Sequence, residues 1–215
     1  MFSKIFPKIH AEGYKFLVIA GIITIIFYIF SDFLGLVGFV LTLWVYYFFR
    51  DPERVIINDD NFLVSPADGE VIKVEEVDGP KELNLENKRF KKISIFMNVF
   101  DCHVNRSPCG GKIEEILYKP GKFFNASLDK ASEDNERNYF KIKDNQNNDI
   151  VLVQIAGLVA RRIVCEANKD QELNQGDRVG MIRFGSRADV YYENYEPLVK
   201  VGQIAVSGET LLAKK

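Results

Sequence analysis

Histidine is nearly missing from this chain. Of 215 residues only His10 and His103 are histidines, so any imidazole chemistry beyond the first fifty residues belongs to His103. Cysteine is scarce too. Cys102, Cys109 and Cys165 are odd in number and form no C-x-x-C pair, which argues against a disulfide framework and a structural zinc site and for reduced thiols; no metal is expected. An excess of one charge is also lacking: 28 basic residues face 30 acidic ones, a net charge of -2. With no RNA-binding or zinc-finger motif either, nucleic acid is not an expected partner. Nor is there a G-x-S-x-G nucleophile elbow of the kind ordinary serine hydrolases carry.

What the chain does have is a concentration of its 47% hydrophobic residues in the first fifty positions. Two apolar runs, "FLVIAGIITIIFYIF" and "FLGLVGFVLTLWVYYFF", are separated only by Ser31 and Asp32. As helices they would reach about 22 and 26 Å at about 1.5 Å per residue, slightly short of a hydrocarbon core of about 30 Å. One continuous span would put Asp32 near mid-bilayer at about 2.5–3.5 kcal/mol, whereas a hairpin puts it at the far interface. A membrane helical hairpin over 1–50 is therefore expected, with a half-inserted hairpin as its competitor. A signal peptide is disfavoured, since the second run follows directly with no small-residue cleavage site. Lys4, Lys8 and Lys15 before the pair and Arg50 and Arg54 after it place both ends on the cytoplasmic face of the cell (inner) membrane by the positive-inside rule.

The remaining roughly 160 residues suit about one domain, 51–215. Short β-prone runs such as "GEVIKVEEV", "KKISIFMNVF", "DIVLVQIAG" and "DRVGMIRFG" alternate with "DGP", "KPG", "NQNN" and "NQGD" turns. That pattern predicts a mainly β fold, an antiparallel sheet or barrel-like sandwich, with helix expected otherwise only around Leu128–Asn135. A weak echo between "DGEVIKVEEV" and "GGKIEEILYKPG" is similar to the hammerhead-like biotinyl and lipoyl carrier folds. Carrier domains commonly present a lysine in a Met-Lys-type dipeptide, and none occurs here. A related fold is expected without the carrier function.

Three segments carry candidate chemistry: "SPADGEV", "DCHVNRSPCGG" and "RFGSR". Each alone has an ordinary explanation: turn-forming proline and glycine, a structural histidine at a strand end, a Gly-Ser loop. Together they supply a hydroxyl at Ser186, an imidazole at His103 and a carboxylate at Asp68 to orient it. Because Ser186 directly follows Gly185 inside a strand-like run, it can attack the carbonyl of its own preceding residue. Gly185, lacking a Cβ, permits the close approach and the backbone dihedrals that attack needs.

In order and spacing, "RDPER", "SPADGEV", "FMNVFDCHVNRSPCGG", "YKPGKF", "QIAGLVARRIV" and "GDRVGMIRFGSRADVY" resemble the phosphatidylserine decarboxylases, in particular their short membrane-associated, archaeal-type branch, over nearly the whole chain. The resemblance implies self-cleavage between Gly185 and Ser186, giving a β chain of 1–185 and an α chain of 186–215 that stay associated. It also implies that Ser186 becomes an N-terminal pyruvoyl group, which decarboxylates phosphatidylserine to phosphatidylethanolamine through a Schiff base. His103 is the expected base and proton donor. Longer bacterial members carry two histidines three apart in the matching segment, and here the second position is Arg106, a candidate for binding the substrate phosphate or carboxylate; Arg187 is its rival. Phe123 and Phe124 are candidates for dipping into the membrane interface, with core packing as the competing reading. A homo-oligomer is a candidate assembly. The alternatives from other classes are a membrane-tethered carrier-like β adaptor and a membrane serine hydrolase acting on an external ester, both of which predict an uncut chain.

Overall fold

The computed structural model describes residues 7–124, 126, 134–157, 162–183 and 186–215. The chain divides into two compact units, Met1–Glu53 and Arg54–Lys215.

In the first unit a two-residue ribbon, β1 (Lys8–Ile9) against β2 (Arg50–Asp51), brackets helices α1 (Gly13–Phe30) and α2 (Asp32–Phe48). Ser31 breaks the helix with an extended backbone (φ -170°, ψ 136°), and Asp32 opens α2, where the positive end of the helix dipole favours a carboxylate. The helices fold back on each other through small residues. Thr24 Oγ1 and Thr42 Oγ1 lie 2.9 Å apart, a Cβ on Gly38 would meet Thr24 at 3.0 Å, and one on Gly35 would strike the Tyr28 ring at 2.2 Å. Such contacts let two backbones approach in an apolar medium. The outer faces are apolar as well, with Ile29 78% and Phe33 70% exposed. The helix Gly13–Phe30, with a mean hydropathy of 2.1, is long and apolar enough to cross a membrane.

The second unit is mainly β, as the run-and-turn pattern predicts. Its strands are β3 (Phe62–Val64), β4 (Gly69–Asp78), β5 (Arg89–Met97), β6 (Val104–Arg106), β7 (Gly111–Lys119), β8 (Arg137–Asp144), β9 (Asp149–Ala156), β10 (Arg162–Cys165), β11 (Glu172–Leu173), β12 (Arg178–Arg183), β13 (Ser186–Tyr192), β14 (Glu196–Pro197), β15 (Ile204–Ala205) and β16 (Leu211–Lys214). A curled antiparallel sheet runs in the order β11-β7-β8-β9-β13-β5-β4-β15, beside two small sheets, β10-β12-β6 and β14-β16-β3. Of the helix expected at 128–135, residues 128–133 lie outside the described residues, and Asn135 forms a bridge with Lys122 instead.

The order of the large sheet is symmetric about its β9–β13 pair, and the echo seen in the sequence extends through the unit. Strand β4 begins at Gly69 and β7 at Gly111, both with φ +147°, because the backbone of the next strand leaves no room for a Cβ: Phe96 O would lie 2.1 Å away in one case and Lys143 O 2.2 Å in the other. Short strands cover each start, β15 on Gly69 and β11 on Gly111. The Val64 N–H donates to Pro108 O and the Arg106 N–H to Pro66 O, each at 2.9 Å. Likewise β3 pairs with β16 and β6 with β12. One half, 104–183, is thus inserted between β5 and β13 of a similar outer half.

This insertion decides where the chain is open. In the inner half β8 and β9 are joined by a tight hairpin, closed by the Asp144 carboxylate accepting from the Gln146 and Asn148 N–H groups. In the outer half the corresponding β5–β13 hairpin is open at its mouth, where Met97 faces Ser186.

The sheet buries side chains on both faces. Along β9, Ile150 and Leu152 enter the larger core, while Val151, Val153 and Ile155 enter a smaller one with Phe90 and Tyr139, the alternation expected of a strand covered on both sides. On β13, Ala188, Val190 and Tyr192 face the larger core. Ser186 shares their face by register; Arg187 and Asp189 take the other.

Candidate active site

Ser186 opens the central strand, paired with Met97 of β5 on one side and Ala156 of β9 on the other. It is fully buried, and its hydroxyl lies 3.7 Å from the Met97 thioether. Both neighbours pair with the strand from its first residue. Gly185 lies outside the described residues.

His103 occupies the crossover from β5 into the inserted half. It is fully buried, its carbonyl accepts from Ile182 N–H at 3.2 Å, and Ile182 is four residues before Ser186 in the returning crossover. Both connections between the halves therefore meet at this end of the sheet. His103 Nδ1 lies 3.0 Å from the Asp101 carbonyl; a carbonyl only accepts, so Nδ1 carries the proton and Nε2 the lone pair.

Asp68 precedes β4, two strands from Ser186 at the same end, where Glu70 pairs with Phe96. Its carboxylate is engaged by Arg54 Nη2, at 2.8 and 2.7 Å to its two oxygens, and by the Ser207 N–H at 2.8 Å. The internal duplication separates turn-making from chemistry here. In Ser65–Gly69 and in Ser107–Gly111 the serine hydroxyl donates to the carbonyl two residues on, at 2.6 Å in both, and the sequences run S-P-A-D-G and S-P-C-G-G. The second turn forms without a carboxylate, so the turn does not require Asp68.

The two arginines lie in different sheets. Arg187 lies on the sheet face away from Ser186, buried, its Nε and Nη2 donating to the two Asp189 oxygens at 2.6 and 2.8 Å and Nη2 also to Ser94 Oγ at 3.0 Å. Arg106 follows His103 on β6, donates to Gly176 O at 3.0 Å and is 5% exposed. Among the described residues, no three His, Cys, Asp or Glu side chains gather as metal ligands, and the three cysteines form no disulfide.

Sequence reasoning missed a buried amide chain beside Ser186. Asn138 Nδ2 donates to Gln154 Oε1 at 3.2 Å, Gln154 Nε2 to Asn105 Oδ1 at 2.9 Å, and Asn105 Nδ2 reaches Met97 Sδ at 3.5 Å. Isolated amides in strands carry no local signal. Arg54 did have one, the "RDPER" motif, but nothing local ties it to Asp68.

A family model described as Phosphatidylserine decarboxylase matches residues 41–213. The chain is 74% identical over 215 residues, 100% of both chains, to a protein of Pelagibacter ubique (strain HTCC1062) named phosphatidylserine decarboxylase proenzyme. Proteins of the same name from Cereibacter sphaeroides (strain ATCC 17025 / ATH 2.4.3) and Rickettsia typhi (strain ATCC VR-144 / Wilmington) are 50% and 46% identical, each covering 99% of this chain and 92% of their own. With the match running through the sheet, both crossovers and the Ser186 strand, the chain belongs to the phosphatidylserine decarboxylase family.

Proposed function

We propose that the chain is a phosphatidylserine decarboxylase that cuts itself between Gly185 and Ser186 and works from a pyruvoyl group made from Ser186. The observation that carries this reading is the position of Ser186. It is a buried hydroxyl at the mouth of an opened hairpin, where the crossover bearing His103 meets the one that ends at the scissile bond.

Ser186 Oγ attacks the Gly185 carbonyl carbon as His103 Nε2 takes its proton. Asp68, on the turn whose Pro66 carbonyl accepts from the strand after His103, is the proposed carboxylate partner of that imidazole. The peptide nitrogen leaves and an ester joins Gly185 to the Ser186 oxygen. Loss of the Ser186 α-proton expels the Gly185 carboxylate and leaves dehydroalanine, which tautomerises to an imine; water then replaces ammonia. The surroundings suit the product, in which Cβ of residue 186 becomes a methyl group: a thioether and Ala156 flank it.

The pyruvoyl carbonyl supplies an electrophile for the substrate amine and a sink for the electron pair released with carbon dioxide. His103 is the proposed donor of the proton that replaces the carboxyl group. Arg106 is the proposed partner of the substrate phosphate or carboxylate, and the buried ion pair with Asp189 supports a structural part for its rival Arg187. Both products of cleavage stay together because β13 pairs along its whole length with β5 and β9, and β15 and β16 pair with β4 and β3. The helical hairpin holds the chain in the inner membrane, with the β unit on the cytoplasmic face.

Intact mass under denaturing conditions tests this. The wild type should resolve into chains 1–185 and 186–215, the smaller blocked at its amino terminus, and Ser186→Ala should stay whole and inactive. An uncut wild type, or a small chain beginning with free serine, would sink the reading.

A further inference from the structure

Two exposed aromatic residues lie in segments tied to the two strand partners of Ser186, Met97 and Ala156. On one side β5 ends at Met97, the partner of Ser186, and runs into a turn with Phe100 near its tip. That turn is held by its own hydrogen bonds: Asn98 N–H to Asp101 Oδ2 and Phe100 N–H to Asn98 Oδ1, both 2.8 Å, and Asp101 N–H to Asn98 O, 3.0 Å. Phe100 is nonetheless 62% exposed. On the other side Ala156, the second partner of Ser186, has its carbonyl bound by Asn135 Nδ2 at 2.8 Å. The same side-chain amide grips Phe124, donating to its carbonyl at 2.8 Å and accepting from its N–H at 2.7 Å. Phe123 packs against the larger core while Phe124 stays 41% exposed, with the Lys122 ammonium 5.6 Å from its ring centre. Arg162, also exposed, stands opposite Arg183 where β12 runs toward Ser186.

We propose that Phe100 and Phe124 form a lipid-contacting rim around the reactive centre and set into the headgroup–acyl boundary of the bilayer that carries the substrate. This rests on the decarboxylase reading. A lipid that keeps its acyl chains in the membrane can bring its amine to residue 186 only if the surface around residue 186 lies against that membrane. Singly exposed apolar residues are ordinary. Two aromatics clamped by hydrogen bonds at both neighbours of one buried residue, with cations beside them, match the residue chemistry of membrane interfaces. Lys122 also meets Asp134 at 3.6 Å, both largely exposed, so the aromatics carry the contact and the cations only bias it toward anionic headgroups.

The test uses the full chain in vesicles containing phosphatidylserine. With Trp44→Phe removing the native indole, Phe100→Trp should give blue-shifted emission that brominated lipid quenches; water-like, unquenched emission would overturn the rim. In parallel, Phe100→Ser with Phe124→Ser should mature normally and keep its rate on monomeric short-chain phosphatidylserine, while KM for vesicle-borne substrate rises about tenfold. Loss of maturation, or equal changes on both substrates, would place these residues in the reactive site and refute the surface role. A wild type inactive on both substrates would refute the decarboxylase reading, and the quenching result would still judge the lipid contact.

Discussion

At the scale of single residues, the Arg54–Asp68 pair stands out because the fold does not need it. The turn at Ser107–Gly111 has the same hydroxyl bond and the same glycine conformation without an acid. Arg54 and Asp68 are 13% and 15% exposed, deep enough for the pair to outweigh a surface contact. Arg54 is best understood as a positioning residue that fixes the carboxylate beside the His103 strand. Arg54→Gln should slow the appearance of the two chains about tenfold or more and lower stability by roughly 1–3 kcal/mol; Arg54→Lys should restore stability better than maturation, since lysine keeps the charge but not the position from which Nη2 reaches both oxygens. A time course of chain splitting beside a melting curve separates the two effects. Maturation at the wild-type rate in Arg54→Gln would assign the pair to stability alone.

At the scale of elements, the duplication provides an internal control. Gly69 and Gly111 begin equivalent strands with the same φ and the same carbonyl in the way of a Cβ. Gly69→Ala and Gly111→Ala should therefore cost similar stability, roughly 2–4 kcal/mol each. Only Gly69→Ala, which displaces the neighbouring Asp68, should also block self-cleavage at a temperature where both variants stay folded. Equal maturation of the two would argue that the Asp68 turn has no part in processing. Much at this scale was readable beforehand: β4, β7, β9 and β12 follow their alternating runs, and the helical hairpin breaks at Ser31. By contrast β3, just before "SPADGEV", and β6, inside "DCHVNRSPCGG", are three residues each and have too little periodicity to register. The segment "GQIAVSGETLL" holds two short strands, because the Thr210 hydroxyl accepts from the Val206 N–H at 2.9 Å and closes a turn between them.

At the scale of the whole molecule, the sheet has a closed end and an open end, where Met97 faces Ser186. Asp149, the inner-half counterpart of Ser186, opens β9 at the closed end, with Lys88 at 2.6 Å and Lys143 at 3.0 Å. Burial alone would raise its carboxyl, but the two lysines outweigh burial and hold it below the usual carboxylate range. A lowered folded value means stabilisation that is present above the unfolded carboxylate range, near pH 4, and lost as pH falls through the folded value. Asp149→Asn should lower the melting temperature at pH 7, by about 1–2 kcal/mol of stability, and the gap to wild type should close as pH falls below the unfolded carboxylate range. Because Asp149 lies away from the open end, self-cleavage should proceed. A gap that persisted at low pH would mean that the asparagine disturbs packing rather than charge.

The amino-acid sequence by itself determined the kinds of group available and their order along the chain: a sole imidazole beyond the apolar hairpin, a carboxylate in a turn, a serine after glycine in a β run, and strands of about the right extent. Those properties are local, fixed by residue chemistry and by periodicities of a few residues. Tertiary structure decided the partners. It placed one half of the unit inside the other, leaving Met97 and Ser186 at an opened mouth, and it engaged Asp68 with Arg54 and the Ser207 amide. It also turned Arg187 to the far face, where Asp189 meets it, and brought Asn105, Gln154 and Asn138 into one chain. The reason is physical: strand pairing joins backbone groups that are identical in every residue, so which distant segments meet depends on how whole faces bury together.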